Sequence, residues 1–185
     1  MNIRAIIAMG ILPWVWVQGN SQHATAQPVV PDNLKPPGPA SLVLKSPAKG
    51  IQIYRCLESS TNSNGDSTGF AWTLRTPQAD LFDDKGKHIG LHFTGPTWKA
   101  NDDSTVVGQV QAKTDAPNAT AIPWLLLSAK THAGIGIFSK VTSIQRLETV
   151  GGKAPSTGCD ASKVNTEIQV PYRATYYFYG EGNQP

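Results

Sequence analysis

Ile51-Gln52-Ile53-Tyr54-Arg55-Cys56-Leu57 decides the fold. Side chains of an extended chain change face at every residue, so Ile51, Ile53, Arg55 and Leu57 fall on one side and Gln52, Tyr54 and Cys56 on the other. That period of two belongs to a strand. Similar segments recur at short intervals on both sides of it. Ser41 to Lys45 is a short strand before it. Glu58 to Gly69, rich in Ser, Asn and Gly, reads as a polar loop. Phe70 to Leu74 resumes an extended run. Ala79 to Phe82 and Lys87 to Phe93 flank Asp83-Asp84-Lys85-Gly86, a hairpin turn with Gly where a positive φ is needed.

Further along, Thr105 to Lys113 alternates again. Ile122 to Ala129 is apolar throughout and fits a buried strand or a short helix, since Pro123 permits either. Phe138 to Val150 is rich in β-branched residues and stops at Gly151-Gly152. Glu167 to Val170 and Arg173 to Tyr179 close the chain. There is no long amphipathic helix and no internal repeat. About nine short strands in one domain predict an all-β fold, either an antiparallel sandwich or a partly closed barrel.

The amino terminus is of a different kind. Arg4 gives a positive start, Ala5 to Val17 is an apolar stretch of 13 residues, and Gln18 to Ala26 is polar and ends in Ala24-Thr25-Ala26. That is the pattern of an export signal, cleaved after Ala26. The apolar stretch is shorter than the roughly 20 residues that span a bilayer, and no second one follows, so the mature chain is expected to carry no transmembrane segment. Without Arg4 the 16 Lys and Arg become 15, against 13 Asp and Glu, a net charge of +2. So weak a charge, spread singly, argues against nucleic acid as a partner. Gln27 to Pro39 contains five prolines and reads as an extended arm into which only Leu34 brings an apolar anchor. The expected organisation is therefore a signal over 1–26, the arm over 27–40, one β domain over 41–180 and a tail over 181–185.

Cys56 and Cys159 are the only cysteines. In an exported chain an isolated pair reads as one disulfide. A pair of metal-binding or catalytic thiols is the rival reading, without a CxxC spacing to support it.

Several blocks resemble one known family. They are Gly50 to Cys56, His92-Phe93-Thr94-Gly95-Pro96-Thr97-Trp98, Ile122-Pro123-Trp124-Leu125-Leu126-Leu127, and Val150 to Pro155 leading to Thr157-Gly158-Cys159, with Pro171-Tyr172 and Tyr176 to Tyr179 at the end. Together they are similar to the domain-of-unknown-function 3455 family of exported bacterial and fungal proteins, over about Val30 to Tyr179. The resemblance implies a single exported domain. It brings no reaction and no catalytic residue with it.

Candidate chemistry centres on His92 to Trp98. Gly95-Pro96 forces a turn and Trp98 places a large flat ring just beyond it. A ligand surface is expected from His92, Pro96, Trp98 and Trp124. His88 and His92 share a face if Lys87 to Phe93 is a strand, but lie about 13 Å apart along it. Only His92 belongs to a family block. His92, His132 and Asp102 form the candidate metal set, for Zn or Cu. The oxygen cluster Asn101-Asp102-Asp103-Ser104 otherwise reads as a turn. Gly151-Gly152-Lys153 lacks the Ser or Thr of a phosphate loop, because Ala154 follows the lysine. On the last strand Tyr177 and Tyr179 share one face and Tyr176 and Phe178 the other. Asn118-Ala119-Thr120 is a glycosylation sequon, meaningful only in a eukaryotic host. No HExxH signature occurs.

The favoured expectation is an exported, non-catalytic β domain without a cofactor, which binds an envelope glycan, a small molecule or a protein. The alternatives are a Zn- or Cu-dependent secreted enzyme centred on His92, and a structural envelope or stress protein without a small ligand.

Overall fold

A computed structural model describes residues 28–61 and 67–182. The expected export signal, the middle of the expected 58–69 loop and most of the tail lie outside those residues. Eight strands follow one another: β1 (Ala40–Thr61), β2 (Ser67–Phe82), β3 (His88–Phe93), β4 (Thr97–Ala100), β5 (Thr105–Thr114), β6 (Trp124–Ala133), β7 (Ser143–Gly151) and β8 (Glu167–Glu181). Each pairs antiparallel with the next, and β8 pairs back onto β1, so the sheet closes into a barrel. The all-β expectation is met, and of its two architectures the molecule adopts the barrel. Ile122 to Ala129 belongs to a strand, not a helix.

The strands are fewer and longer than the sequence suggested. Ser41–Lys45 and Ile51–Leu57 are both parts of β1, Phe70–Leu74 and Ala79–Phe82 of β2, and Glu167–Val170 and Arg173–Tyr179 of β8. Each apparent break holds a proline: Pro47, Pro77 and Pro171 stay in register opposite Thr175, Gln52 and Ile51. A proline removes one N–H from the ladder but its fixed φ is compatible with an extended chain. Register shifts, such as the one between Ile53 and Tyr54 on β1, absorb the irregularity as bulges. The four-residue β4 was not expected at all.

The lumen is filled from one side of every strand. Ala48, Leu81, Trp98, Val106, Leu127, Ile144, Tyr176 and Phe178 form its core. One end is plugged by the 134–142 connection, where Phe138 and Val141 are fully buried and the Phe138 ring meets Phe178 at 4.6 Å between centroids.

A second apolar cluster lies outside the wall. Leu34, on a single 3-10 turn (Asp32–Leu34), is fully buried against Trp124, Leu126, Leu147 and Tyr177. The Gln145 amide donates to the Leu34 carbonyl at 2.6 Å and in turn accepts from the Tyr179 hydroxyl at 2.9 Å. Asn33 reaches Thr114 at 3.1 Å. The arm is thus strapped across the barrel wall.

Cys56 and Cys159 form a disulfide with Cα atoms 5.4 Å apart. It ties the far part of β1 to the connection before β8. The Trp72 indole donates to the Thr157 carbonyl at 3.0 Å beside it, and Arg55 and Glu167 pair across β1 and β8 at 2.7 Å.

Candidate functional site

Antiparallel order gathers the β3–β4 turn and the connections before β6 and β8 at the end opposite the plug. The connection before β8 is drawn inward there, because the Tyr54 hydroxyl donates to the Gly152 carbonyl at 2.7 Å. On the other side the short β3–β4 hairpin stops early, with Gly95 at φ 95° making the turn. A cavity of about 310 Å³ opens there into the lumen. Its walls are Leu74 and Pro77 from β2, Val110 from β5, Leu125 and Leu127 from β6, and Tyr176 from β8, with Thr94-Gly95-Pro96 and Arg75 also lining it.

His92 and Trp98 are directly paired across β3 and β4. Their rings stack, with centroids 4.5 Å apart and planes 14° from parallel. Tyr176 stands tilted against His92 at 5.1 Å and edge-on to Trp98 at 5.3 Å. Trp98 lies over Gly108, where a Cβ would come within 3.0 Å of the indole ring; the glycine makes room for it. The His92 Nδ1 is 2.9 Å from the Thr97 carbonyl. A carbonyl only accepts, so Nδ1 carries the proton and the lone pair of the neutral ring sits on Nε2. Burial lowers the His92 pKa to about 3. The Thr97 bond opposes that shift and the Arg146 charge adds to it. His92 is therefore a neutral acceptor at ordinary pH.

Two donors buried behind this lining, Gln52 Nε2 and Trp98 Nε1, have no partner among the described residues. Gln52 and Trp98 are each 1% exposed. Arg146, opposite Tyr176 in the register, donates from Nε and Nη2 to the Pro123 carbonyl at 3.2 and 2.8 Å. No carboxylate pairs with it among the described residues. The lining holds two guanidinium groups, Arg75 and Arg146, and no Asp or Glu. Burial also raises the pKa of Tyr172 and Tyr176, whose hydroxyls lie 3.4 Å apart. The phenols stay protonated.

Of the residues expected at a ligand surface, His92, Pro96 and Trp98 meet at this cavity. They line a hollow inside the barrel rather than an exposed face. Trp124 does not join them. It points out of the wall and is covered by the arm with Leu34. The metal set is not assembled. His132 donates from Nε2 to the Val141 carbonyl at 2.7 Å, at the plugged end. Asp102 is there too: it accepts from the Ser104 backbone at 2.9 Å and hydroxyl at 2.5 Å, and from the Ile137 amide at 2.8 Å. It fastens the plug, and its carboxyl is held below the usual range, chiefly by the Ser104 hydroxyl. His88 is turned by the register shift between Leu81 and Phe82 and lies 3.3 Å from Asp80. Among the described residues no three His, Cys, Asp or Glu side chains gather to hold an ion. Asn118 accepts from the Thr120 amide and hydroxyl in its own turn.

Gln52, Arg146 and Tyr176 belong to the site but were not singled out for it by the sequence. Gln52 carried a signal, a polar residue on the same face as Tyr54 and Cys56. Arg146 carried none, because its neighbourhood exists only once β7 is set between β6 and β8.

Fold and site together define the class: an eight-stranded antiparallel barrel, plugged at one end, with an aromatic and cationic hollow at the other. The chain belongs to the family described as Protein of unknown function (DUF3455), whose model matches residues 36–180. No curated protein and no solved structure matches the chain. No helix among the described residues is long and apolar enough to cross a membrane.

Proposed function

We propose that this protein is an exported binding domain that holds a small organic molecule in the open end of its barrel. The observation that carries the reading is the open hollow beside Trp98, walled by apolar side chains and bordered by Arg75 and Arg146. A bound molecule covers the apolar walls. At about 30 Å³ per water-sized group, the space suits a one- or two-ring compound. Eight-stranded barrels are of a width that holds one such ligand. The amino-terminal signal and the Cys56–Cys159 bond favour work in an oxidising compartment outside the cytoplasm. The reading needs no cofactor and no catalytic group.

The test uses N-phenylnaphthylamine, an uncharged fluorophore that brightens in apolar surroundings. The oxidised protein is expected to bind it saturably, and Val110→Trp, which fills the hollow from β5, to abolish binding while keeping the fold. No binding by the wild type, or full binding by Val110→Trp, overturns the assignment.

A further inference from the structure

We infer that the molecule held in the lumen is a small carboxylate with an apolar, ring-sized body, its charge set against Arg146. The inference rests on the lumen reading above and adds the chemical class of the ligand.

The sign of the site is unambiguous. Arg146 and Arg75 are its charged lining, and no Asp or Glu faces them there. A half-buried guanidinium without a counter-charge is costly, since part of its hydration is lost and no partner replaces it. The Pro123 carbonyl engages Nε and Nη2 but supplies only a dipole. The same side chain lies opposite Tyr176, whose ring touches both His92 and Trp98. Arg146 is thus part of the wall that carries the aromatic stack. A lining that offers positive charge selects an anionic ligand, and guanidinium is well matched to carboxylate. A cationic ligand would face Arg146 with nothing to neutralise it. The remaining walls are Leu74, Leu125, Leu127 and Val110 with the Trp98 ring, which suits an apolar or aromatic body.

Isothermal titration of the oxidised mature protein with β-naphthoate and β-naphthamide compares one body with a charged and an uncharged head. The acid is expected to bind about tenfold more tightly or better, the size of one charge-assisted hydrogen bond. In Arg146→Met that preference is expected to vanish while the amide binds as before. If Arg146→Met does not fold, Arg146→Lys replaces it, and the loss of the planar fork is expected to lower the preference several-fold. Equal binding of acid and amide by the wild type overturns the inference, as does an undiminished preference in the folded variant. If N-phenylnaphthylamine binds but neither naphthyl compound does, the carboxylate assignment falls and the lumen reading survives. If nothing binds, both fall.

Discussion

The inner and outer faces of β6, β7 and β8 are made of similar residues and end in different states. Outward, Trp124, Leu126, Leu147 and Tyr177 are covered by Leu34. Polar groups on that face are mostly matched: Gln145 to the Leu34 carbonyl, Tyr179 to Gln145, and Tyr177 to Glu148 at 3.1 Å. Only the Trp124 indole N–H is left over. Inward, Leu125 and Arg146 border open space, above the buried Leu127 and Tyr176. The outer face has a cover supplied by its own chain, whereas the inner face has donors and a cation with nothing set against them. A sheet face completed by the molecule itself reads as structure. One left incomplete, in otherwise close-packed surroundings, reads as a place for something else.

Leu34→Ala breaks the comparison most strongly. Removing a fully buried leucine is expected to cost about 2–4 kcal/mol in urea unfolding and to speed proteolysis within residues 28–39. Naphthyl ligand binding should survive in the folded fraction. Loss of binding in step with the arm would show that the two faces are not independent.

An effect of intermediate size comes from pH. The His92 pKa is about 3 in the folded chain and 6.5 as the ordinary value, so between those values the unfolded chain binds the proton first. Stability is then full above pH 6.5 and falls as the pH drops toward 3. The loss is about 1.4 kcal/mol by pH 5.5. Denaturant midpoints at pH 7.5 and 5.5 measure it, and His92→Gln should flatten the difference. A wild type equally stable at both values would show that His92 is hydrated.

The smallest effect has the opposite sign. Gln52→Leu removes an unpartnered buried N–H group and is expected to stabilise the barrel by about 1 kcal/mol. A destabilised variant would mean that the amide is already satisfied, which would make the inner face as complete as the outer.

Much of this architecture was legible in the sequence. Alternation in Ile51–Leu57 and along Tyr176–Tyr179 marked strands and their two faces, and Tyr176 and Phe178 do line the lumen while Tyr177 packs under the arm. Alternation could not tell which face of β1 is buried: Gln52, Tyr54 and Cys56 are, and the isoleucine face is only partly covered. Trp124 to Leu127 is apolar on both faces, which hid its period and left a helix open. The reason is now plain, since one face meets the lumen and the other the arm. Pro47, Pro77 and Pro171 looked like breaks because a proline's place in a ladder depends on the partner strand, which no local pattern shows. Trp98 and Trp124 looked alike in sequence. Their separation by the thickness of the wall follows from register, which no local pattern specifies.

The bond between Cys56 and Cys159 also alters how the barrel closes. The seam is the pairing of β1 with β8, and along the backbone Arg55 and Glu167 are 112 residues apart. Through the sulfur bridge the same two residues are joined by a path no longer than a surface loop. In the oxidised chain the first and last strands meet almost as the arms of a hairpin do, and the long excursion through β2 to β7 becomes a side branch of that short circuit. Joining the ends of a linear meander ordinarily waits on the slowest, most distant encounter in the molecule. Here the covalent bridge, once formed, makes that encounter a local one, and the seam closes over a short loop rather than across the whole chain.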